Sequence, residues 1–169
     1  IVVYNDSLDE TDATVIHGIQ DFSGNFICRE EKKCVLKGST PIYIEDVSPQ
    51  KEMDPKSCFK FAEIYAQGKR IASNRKFLTD SKELQLPAEA IQANIYRVSD
   101  CDWTIELSAE KFMWDVTILP EDSFTVSDNS FDLWPNEKKT LYVHTKEPMA
   151  CFRPEIISIN HYLGGNNIE

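Results

Sequence analysis

The chain has 169 residues, with 18 basic and 28 acidic side chains and a formal net charge of −10 at pH 7. This excess of acid argues against a protein that binds nucleic acid or an anionic membrane, because both of those surfaces are themselves negatively charged. Hydrophobic residues make up 41% of the chain, enough for packed cores, and no apolar run approaches the roughly 18 residues of a membrane-spanning helix. The chain opens with an apparent strand at 1–4, without an initiator Met or a visible signal peptide, so we expect a segment of a longer protein.

Short alternating runs separated by turn formers predict antiparallel strands in the first half of the chain. The predicted strands lie at 15–20, 26–36, 59–65 and 71–77, with turns at 21–25 and 67–69. Each turn suits a hairpin, because Gly and Asn tolerate the positive φ that tight turns need. The charged run at 30–33 is predicted to be a solvated part of its strand, and a single helical turn is predicted at 48–55.

The second half shows the same alternation. Strands are predicted at 91–98, 102–108, 112–118, 140–144 and 157–160, with a hairpin turn at Ser99-Asp100 and one helical turn at 108–111. By period-2 parity, the side chains expected to face a core are Trp103, Ile105, Leu107, Phe112, Trp114, Val116, Ile118, Leu141, Val143, Ile157 and Ile159. Regularly spaced strands of this kind favour sandwiches. A boundary at 82–87, stiffened by Pro87, predicts two units of roughly 85 residues.

Residues with catalytic or metal-binding potential are sparse. His17 and His161 occupy apolar-face positions and His144 faces outward, so the three histidines form no metal pair. The chain has neither the G-x-S-x-G pattern of a presented serine nor the G-x-G-x-x-G pattern of a phosphate loop. The sequence therefore predicts no catalytic residue, no metal site and no cofactor. Asn5-Asp6-Ser7 matches a glycosylation acceptor, but a turn at the end of a strand explains it more simply.

The five cysteines leave at least one thiol free. We expect buried free thiols that pack as small hydrophobes, and the absence of C-x-x-C argues against a zinc or thioredoxin-type site. Two long-range disulfides, Cys28–Cys58 and Cys101–Cys151, stay open as alternatives.

The most unusual stretch is the 127–137 segment, which mixes turn formers with three large apolar side chains. In the simplest interpretation, Asp128 and Asn129 bond local backbone while Phe131 and Leu133 close the end of a sandwich. Two alternatives are calcium binding by Asp128, Asn129 and Asp132, and contact with a ligand or partner domain anchored by Trp134. The candidate binding or interface residues are thus Asp128, Asn129, Phe131, Asp132 and Trp134. For stacking against a sugar, Trp134 and Tyr142 are the more exposed candidates.

The stretch Ser127-Asp128-Asn129-Ser130-Phe131-Asp132-Leu133-Trp134-Pro135, followed by the strand 139–143, resembles the last domain of family 2 glycoside hydrolases, the β-mannosidases and exo-β-glucosaminidases above all. In this chain one residue, Ser130, stands where the family has two. Asn136 stands where Gly is common, and Asn tolerates the left-handed conformation that such a turn needs. In the first half, 2–8 and 21–25 resemble the preceding domain of the family, in the same order.

This resemblance implies an all-β fold of two tandem immunoglobulin-like antiparallel β-sandwiches, at 1–83 and 84–169. The full enzyme would hold two catalytic glutamates in a (β/α)8 barrel and release terminal β-D-mannosyl residues with retention. No family catalytic residue maps onto this chain, which would be a pair of accessory domains with the catalytic barrel as partner. The alternatives are a carbohydrate-binding module, with oligosaccharide as partner, and an exo-β-glucosaminidase parent. The sequence leaves localisation open, and a bacterial parent that is exported or periplasmic is an expectation only.

Overall fold

The computed structural model describes residues 1–48, 53–119 and 123–163. The chain splits into two compact units, the first formed by Ile1–Asp21 and Asn25–Leu84 and the second by Phe22–Gly24 and Gln85–Glu169. Antiparallel strands form nearly all of the regular secondary structure of both units, which confirms the all-β prediction. In the described ranges the helices are a 3-10 turn at Ser81–Glu83 and α1 at Ile159–Leu163, and neither is long enough to cross a membrane.

The first unit contains a four-stranded antiparallel sheet and a two-stranded one. Its strands are β1 (Val2–Val3), β2 (Thr11–Asp21), β3 (Phe26–Leu36), β4 (Ile42–Tyr43), β5 (Cys58–Ala66) and β6 (Lys69–Phe77). The larger sheet has the order β3-β2-β5-β6, and β1 pairs with β4. Ala13 and Val15 of the larger sheet pack with Val3 of the smaller one and with Ile44, which directly follows β4, so the two sheets enclose an apolar core.

Both hairpins predicted for the first half are present. Gln67 and Gly68 join β5 to β6 with φ of 51° and 74°, and two successive positive φ values are the signature of a type I′ turn. Gly18 in β2 has no room for a side chain, because a Cβ at this position would stand 2.1 Å from the carbonyl oxygen of Cys28 in β3. His17 is buried beside it, as its apolar-face position predicts, and its Nε2 lies 3.9 Å from Glu30.

The second unit is a sandwich of two antiparallel sheets. Its strands are β7 (Gln92–Arg97), β8 (Asp102–Ser108), β9 (Met113–Ile118), β10 (Phe124–Val126), β11 (Phe131–Leu133), β12 (Lys138–Thr145) and β13 (Ile156–Ile157). One sheet has the order β10-β12-β8-β7 and the other β11-β9-β13. Inward side chains such as Ile105 and Leu141 from the first sheet pack with Val116 and Leu133 from the second in a single core.

The predicted core position of Trp114 is wrong. Asp115 has a φ of 51°, and this left-handed residue shifts the alternation of β9. Met113 and Val116 are therefore both buried, while Trp114 is only half-buried. Side chains supply the acceptors at this irregular point, since Asn160 Oδ1 accepts from the Trp114 N–H at 2.8 Å and Asp132 Oδ1 from the Asp115 N–H at 3.2 Å.

The prediction for the C-terminal strand is correct only for its beginning. The chain leaves β13 after Ile157 and enters α1, so the alternation expected through residue 160 is lost. Ser158 and Asn160, predicted to face outward, are each 1% exposed, and His161 is exposed rather than on an apolar face. The helical turn predicted at 108–111 is absent, and 49–52 of the turn predicted at 48–55 lie outside the described residues.

Candidate functional site

The 127–137 segment is held to its own unit by polar side chains. The side chain of Asn129 bonds the backbone of Ile118 as a neighbouring strand would. Its Oδ1 accepts from the Ile118 N–H at 2.8 Å, and its Nδ2 donates to the Ile118 carbonyl at 2.9 Å. Asp128 Oδ2 receives the Lys139 ammonium at 2.6 Å, and Asp128 Oδ1 accepts from the backbone N–H of Asn129 at 2.9 Å. These bonds satisfy backbone groups that the sheet leaves without partners, so Asp128 and Asn129 have a structural role.

The large side chains of the segment face the sandwich. Leu133 is 1% exposed within the core, and Phe131 packs half-buried against it with the Lys139 ammonium 4.8 Å from its ring centre. Trp134 is 9% exposed and lies edge-on to Phe112 at 6.3 Å, so the expectation that Trp134 is an exposed sugar platform is wrong. Ser130 and Asn136 have φ of 57° and 61°, so Asn136 adopts the left-handed conformation expected of it.

All three carboxylate or amide side chains of the proposed calcium set are already used in the fold. Asp128 pairs with Lys139, Asn129 with Ile118, and Asp132 with the N–H of Asp115. Within the described ranges, no group of three or more His, Cys, Asp or Glu side chains is placed to hold a metal ion.

The five thiols are all free, so neither of the long-range disulfides is formed. Cys58 is buried and its Sγ lies 3.0 Å from the carbonyl oxygen of Asp54, to which it donates. Burial raises the pKa of Cys58 to about 11, and the negative charges of Asp54 and Asp21 add to the increase. The thiol therefore stays neutral. The expectation of buried thiols is wrong for Cys151, which is exposed.

A depression of about 480 Å³ lies on the side of the β10-β12-β8-β7 sheet that faces away from the core. We call it the sheet depression, and the lining side chains that matter for its chemistry are Val98, Asp102, Thr104, Thr125, Tyr142 and His144. Their neighbours in sequence, Trp103 and Val143, point the other way into the core. The depression therefore combines an aromatic ring and an aliphatic side chain with hydroxyl, carboxylate and imidazole groups.

A second tyrosine continues the same row of the sheet. In the strand register Thr104 of β8 is paired with Tyr142 of β12 on one side and with Tyr96 of β7 on the other. The two tyrosines are 67% and 50% exposed, respectively. Neighbouring strands lie about 4.8 Å apart, and β8 lies between the strands that carry the two tyrosines. The backbones of Tyr96 and Tyr142 are therefore about 10 Å apart, with the shorter Thr104 between them.

At the edge of the depression, three side chains form a hydrogen-bonded chain. His144 Nδ1 lies 2.8 Å from Asp102 Oδ1, and Ser99 Oγ donates to Asp102 Oδ2 at 2.6 Å. The hydrogen bonds from His144 and Ser99 lower the pKa of Asp102, so its carboxylate stays charged. His144 is exposed, in agreement with its outward position in the predicted strand.

Sequence reasoning finds Tyr142 but misses Tyr96 and Thr104. Alternation along each strand puts Tyr96 on the other face of the sheet from Ile95, and Thr104 on the other face from Trp103 and Ile105. The outward direction of Tyr96 and Thr104 can therefore be read from the sequence. The pairing of β7, β8 and β12 joins residues far apart in the chain, and alternation within one strand carries no information about that register.

The second unit is thus an immunoglobulin-like sandwich, and part of it matches a known family model. Residues 86–154 match the family model of the mannosidase Ig domain, described as an Ig-fold domain. Residues 86–154 are thus similar to a mannosidase-type Ig-fold domain, which is consistent with a C-terminal Ig-like domain of family 2 glycoside hydrolases.

Two solved structures share the fold over nearly the whole chain. A β-D-mannosidase from Dictyoglomus thermophilum superposes with a TM-score of 0.77 at 13% identity, covering 93% of this chain and 20% of its own. An exo-chitosanase from Amycolatopsis orientalis superposes with a TM-score of 0.63 at 15% identity, covering 94% of this chain and 24% of its own. The chain thus spans a fifth to a quarter of these proteins, and identity this low shows a shared fold alone. No curated protein matches the chain.

Proposed function

We propose that the chain forms the non-catalytic C-terminal accessory domains of a β-mannosidase-like glycoside hydrolase, with residues 1–83 and 84–169 as tandem domains. The match of 86–154 to the mannosidase Ig-fold family is the observation that carries this proposal. The fold shared with part of a β-D-mannosidase over 93% of the chain supports it. In this role the parent enzyme hydrolyses terminal β-D-mannosyl residues with retention, and its barrel supplies the catalytic groups.

The physical role of such domains is to cover and support the barrel. A unit of about 85 residues buries only about 60–65% of the surface that its unfolded chain exposes, so docking on a larger domain stabilises both partners. An interface of roughly 600–1,500 Å² is usual between domains of one chain. We propose that the 127–137 segment lies at this interface, with Ser127, Asp128 and Ser130 as its exposed part and Trp134 fixing its shape from within.

The test is carried out on the full-length protein that contains this chain. We expect a (β/α)8 barrel with two strand-end glutamates upstream of Ile1, and hydrolysis of p-nitrophenyl β-D-mannoside with retention. A Trp134→Ala variant should lower the melting temperature of the enzyme or raise its KM. A full-length protein without such a barrel contradicts the proposal, and unchanged melting and kinetics in the variant contradict the interface.

An exo-β-glucosaminidase parent is the second candidate, and the shared fold with the A. orientalis exo-chitosanase favours it. Sugar specificity belongs to the barrel, so the two parents are separated by substrate. A full-length protein that cleaves p-nitrophenyl β-D-glucosaminide and leaves the mannoside intact supports this candidate over the first.

A further inference from the structure

We propose that the sheet depression, together with Tyr96, binds a short run of sugar rings from a neutral β-linked oligosaccharide. Among such oligosaccharides we choose a β-mannan as the ligand, and this choice rests on the proposed function. The site itself rests on the geometry of the β10-β12-β8-β7 sheet.

The two tyrosines supply the apolar contacts that a sugar needs. A pyranose ring has an apolar face of C–H groups, and it packs against the flat face of an aromatic side chain. Tyr142 is 67% exposed and Tyr96 is 50% exposed, so both rings offer contact area to a ligand. The separation of about 10 Å between their strands is comparable to the length of a disaccharide, so alternate sugar rings of one chain fit the two side chains.

Polar groups between and beside the rings match sugar hydroxyls. Thr104 lies in register between the two tyrosines, and Thr125 and Asp102 line the same depression. A carboxylate has about four lone-pair sites, so Asp102 accepts further hydrogen bonds beyond those from His144 and Ser99. Hydrogen bonds to a charged acceptor are about twice as strong as neutral ones, which suits Asp102 to fix the orientation of a bound ring.

The charge of the face selects a neutral ligand. Exposed aromatic rings also stack on nucleic-acid bases, but phosphates require basic groups to neutralise them. Here the carboxylates of Asp102 and Glu106 lie on the tyrosine side of the sheet, and the Tyr96 hydroxyl is 3.4 Å from Glu106 Oε2. These two carboxylates repel phosphate backbones and acidic peptides, whereas an uncharged sugar is not repelled.

The site has a rigid backing. Ile105 and Leu141 flank this row of the sheet along β8 and β12, point into the core, and are fully buried. Ser127 Oγ accepts from the backbone N–H of Tyr142 at 3.0 Å, which fixes the strand beneath the ring. Because little has to become ordered on binding, a small contact area is sufficient for a measurable affinity.

The experiment is a calorimetric titration of the chain with β-1,4-mannotetraose, with α-linked maltotetraose as the matched isomer. We expect millimolar or tighter binding of the β-linked sugar. Tyr142→Ala should weaken it by roughly tenfold, which is the scale of one lost aromatic stack, and Tyr96→Ala should weaken it by a smaller factor. Tyr142→Phe keeps the ring and should bind within about twofold of the parent chain. Tyr162→Ala, an exposed tyrosine on α1, serves as the control without effect.

The proposal is wrong if the unaltered chain does not bind β-mannotetraose. It is also wrong if the Tyr142→Ala and Tyr96→Ala variants bind this sugar as tightly as the unaltered chain does. Both tyrosines are surface side chains, and unchanged circular dichroism confirms that each variant is folded. The titration needs no barrel, so its outcome is separate from that of the proposed function. A barrel found upstream with no sugar binding here refutes this site alone, whereas sugar binding without such a barrel refutes the accessory role alone.

Discussion

Replacing Asn160 with Ala should be one of the most damaging single changes in the second unit. Its side chain is 1% exposed and joins α1 to two other stretches of chain, residues 112–114 and Pro87. Nδ2 donates to the carbonyl oxygens of Phe112 at 2.9 Å and Pro87 at 3.0 Å, while Oδ1 accepts from the Trp114 N–H at 2.8 Å. Truncation removes all three bonds and leaves their backbone partners without a substitute.

The expected loss follows from the number of bonds. Each hydrogen bond contributes about 1 kcal/mol net, so three of them predict a loss of about 3 kcal/mol in the free energy of unfolding. For a unit of this size, 1 kcal/mol shifts the melting temperature by about 4–8 °C, so the expected fall is on the order of 12–24 °C. Trp103, Trp114 and Trp134 are the chain's three tryptophans and all belong to the second unit. Urea unfolding followed by tryptophan fluorescence therefore reports this unit selectively.

Two further variants make the reasoning refutable. Asn160→Asp keeps an acceptor for Trp114 but places an oxygen opposite the carbonyls of Phe112 and Pro87, so it should destabilise at least as much as Ala. Asn94→Ala, at an exposed position on β7, is the matched control and should change stability by less than about 0.5 kcal/mol. If Asn160→Ala unfolds at the same urea concentration as the parent, the three hydrogen bonds carry no net stability and the argument fails.

Two backbone positions and one buried thiol are further points at which a single substitution should change stability. Gly18→Ala should destabilise the first unit far more than Gly68→Ala, measured by circular dichroism melting, because only the former brings a Cβ within 2.1 Å of backbone. Asn136→Gly should be neutral or stabilising and Asn136→Val should cost about 1–2 kcal/mol at its φ of 61°. With its pKa raised from 9.0 to about 11, Cys58 binds its proton more tightly when folded, so stability should fall between pH 9 and 11. A Cys58→Ser variant should lose that fall in a pH series of urea titrations.

Much of the fold follows from local chemistry in the sequence. The hairpin at Gln67-Gly68 was predictable because Gly68 tolerates the positive φ that it adopts. The core side of β8 was predictable because Trp103, Ile105 and Leu107 alternate with polar residues and all face the same core. In both cases the determining interactions lie within a few residues, where sequence patterns carry the information.

The predictions from sequence are wrong where a side chain from a distant part of the chain replaces a regular backbone hydrogen bond. Trp114 departs from parity because Asp115 takes a left-handed conformation, and the freed N–H groups are satisfied by Asn160 and Asp132. Nothing near Trp114 in the sequence signals that Asn160 will bind it from 46 residues away. The row of Tyr96, Thr104 and Tyr142 was missed for a related reason, since it depends on strand pairing rather than on any one strand.

The edges of the sheet in the first unit bear on how the protein behaves at high concentration. An open sheet has two edge strands whose unpaired backbone groups can recruit a strand from another molecule and begin a fibre. On the β3 edge, four consecutive charged residues at 30–33 are exposed. The β6 edge carries Lys69 and Lys76. A second copy aligned along either edge would have to strip water from these charged groups, and along β6 it would also bring like charges together, so the charges disfavour edge-to-edge aggregation.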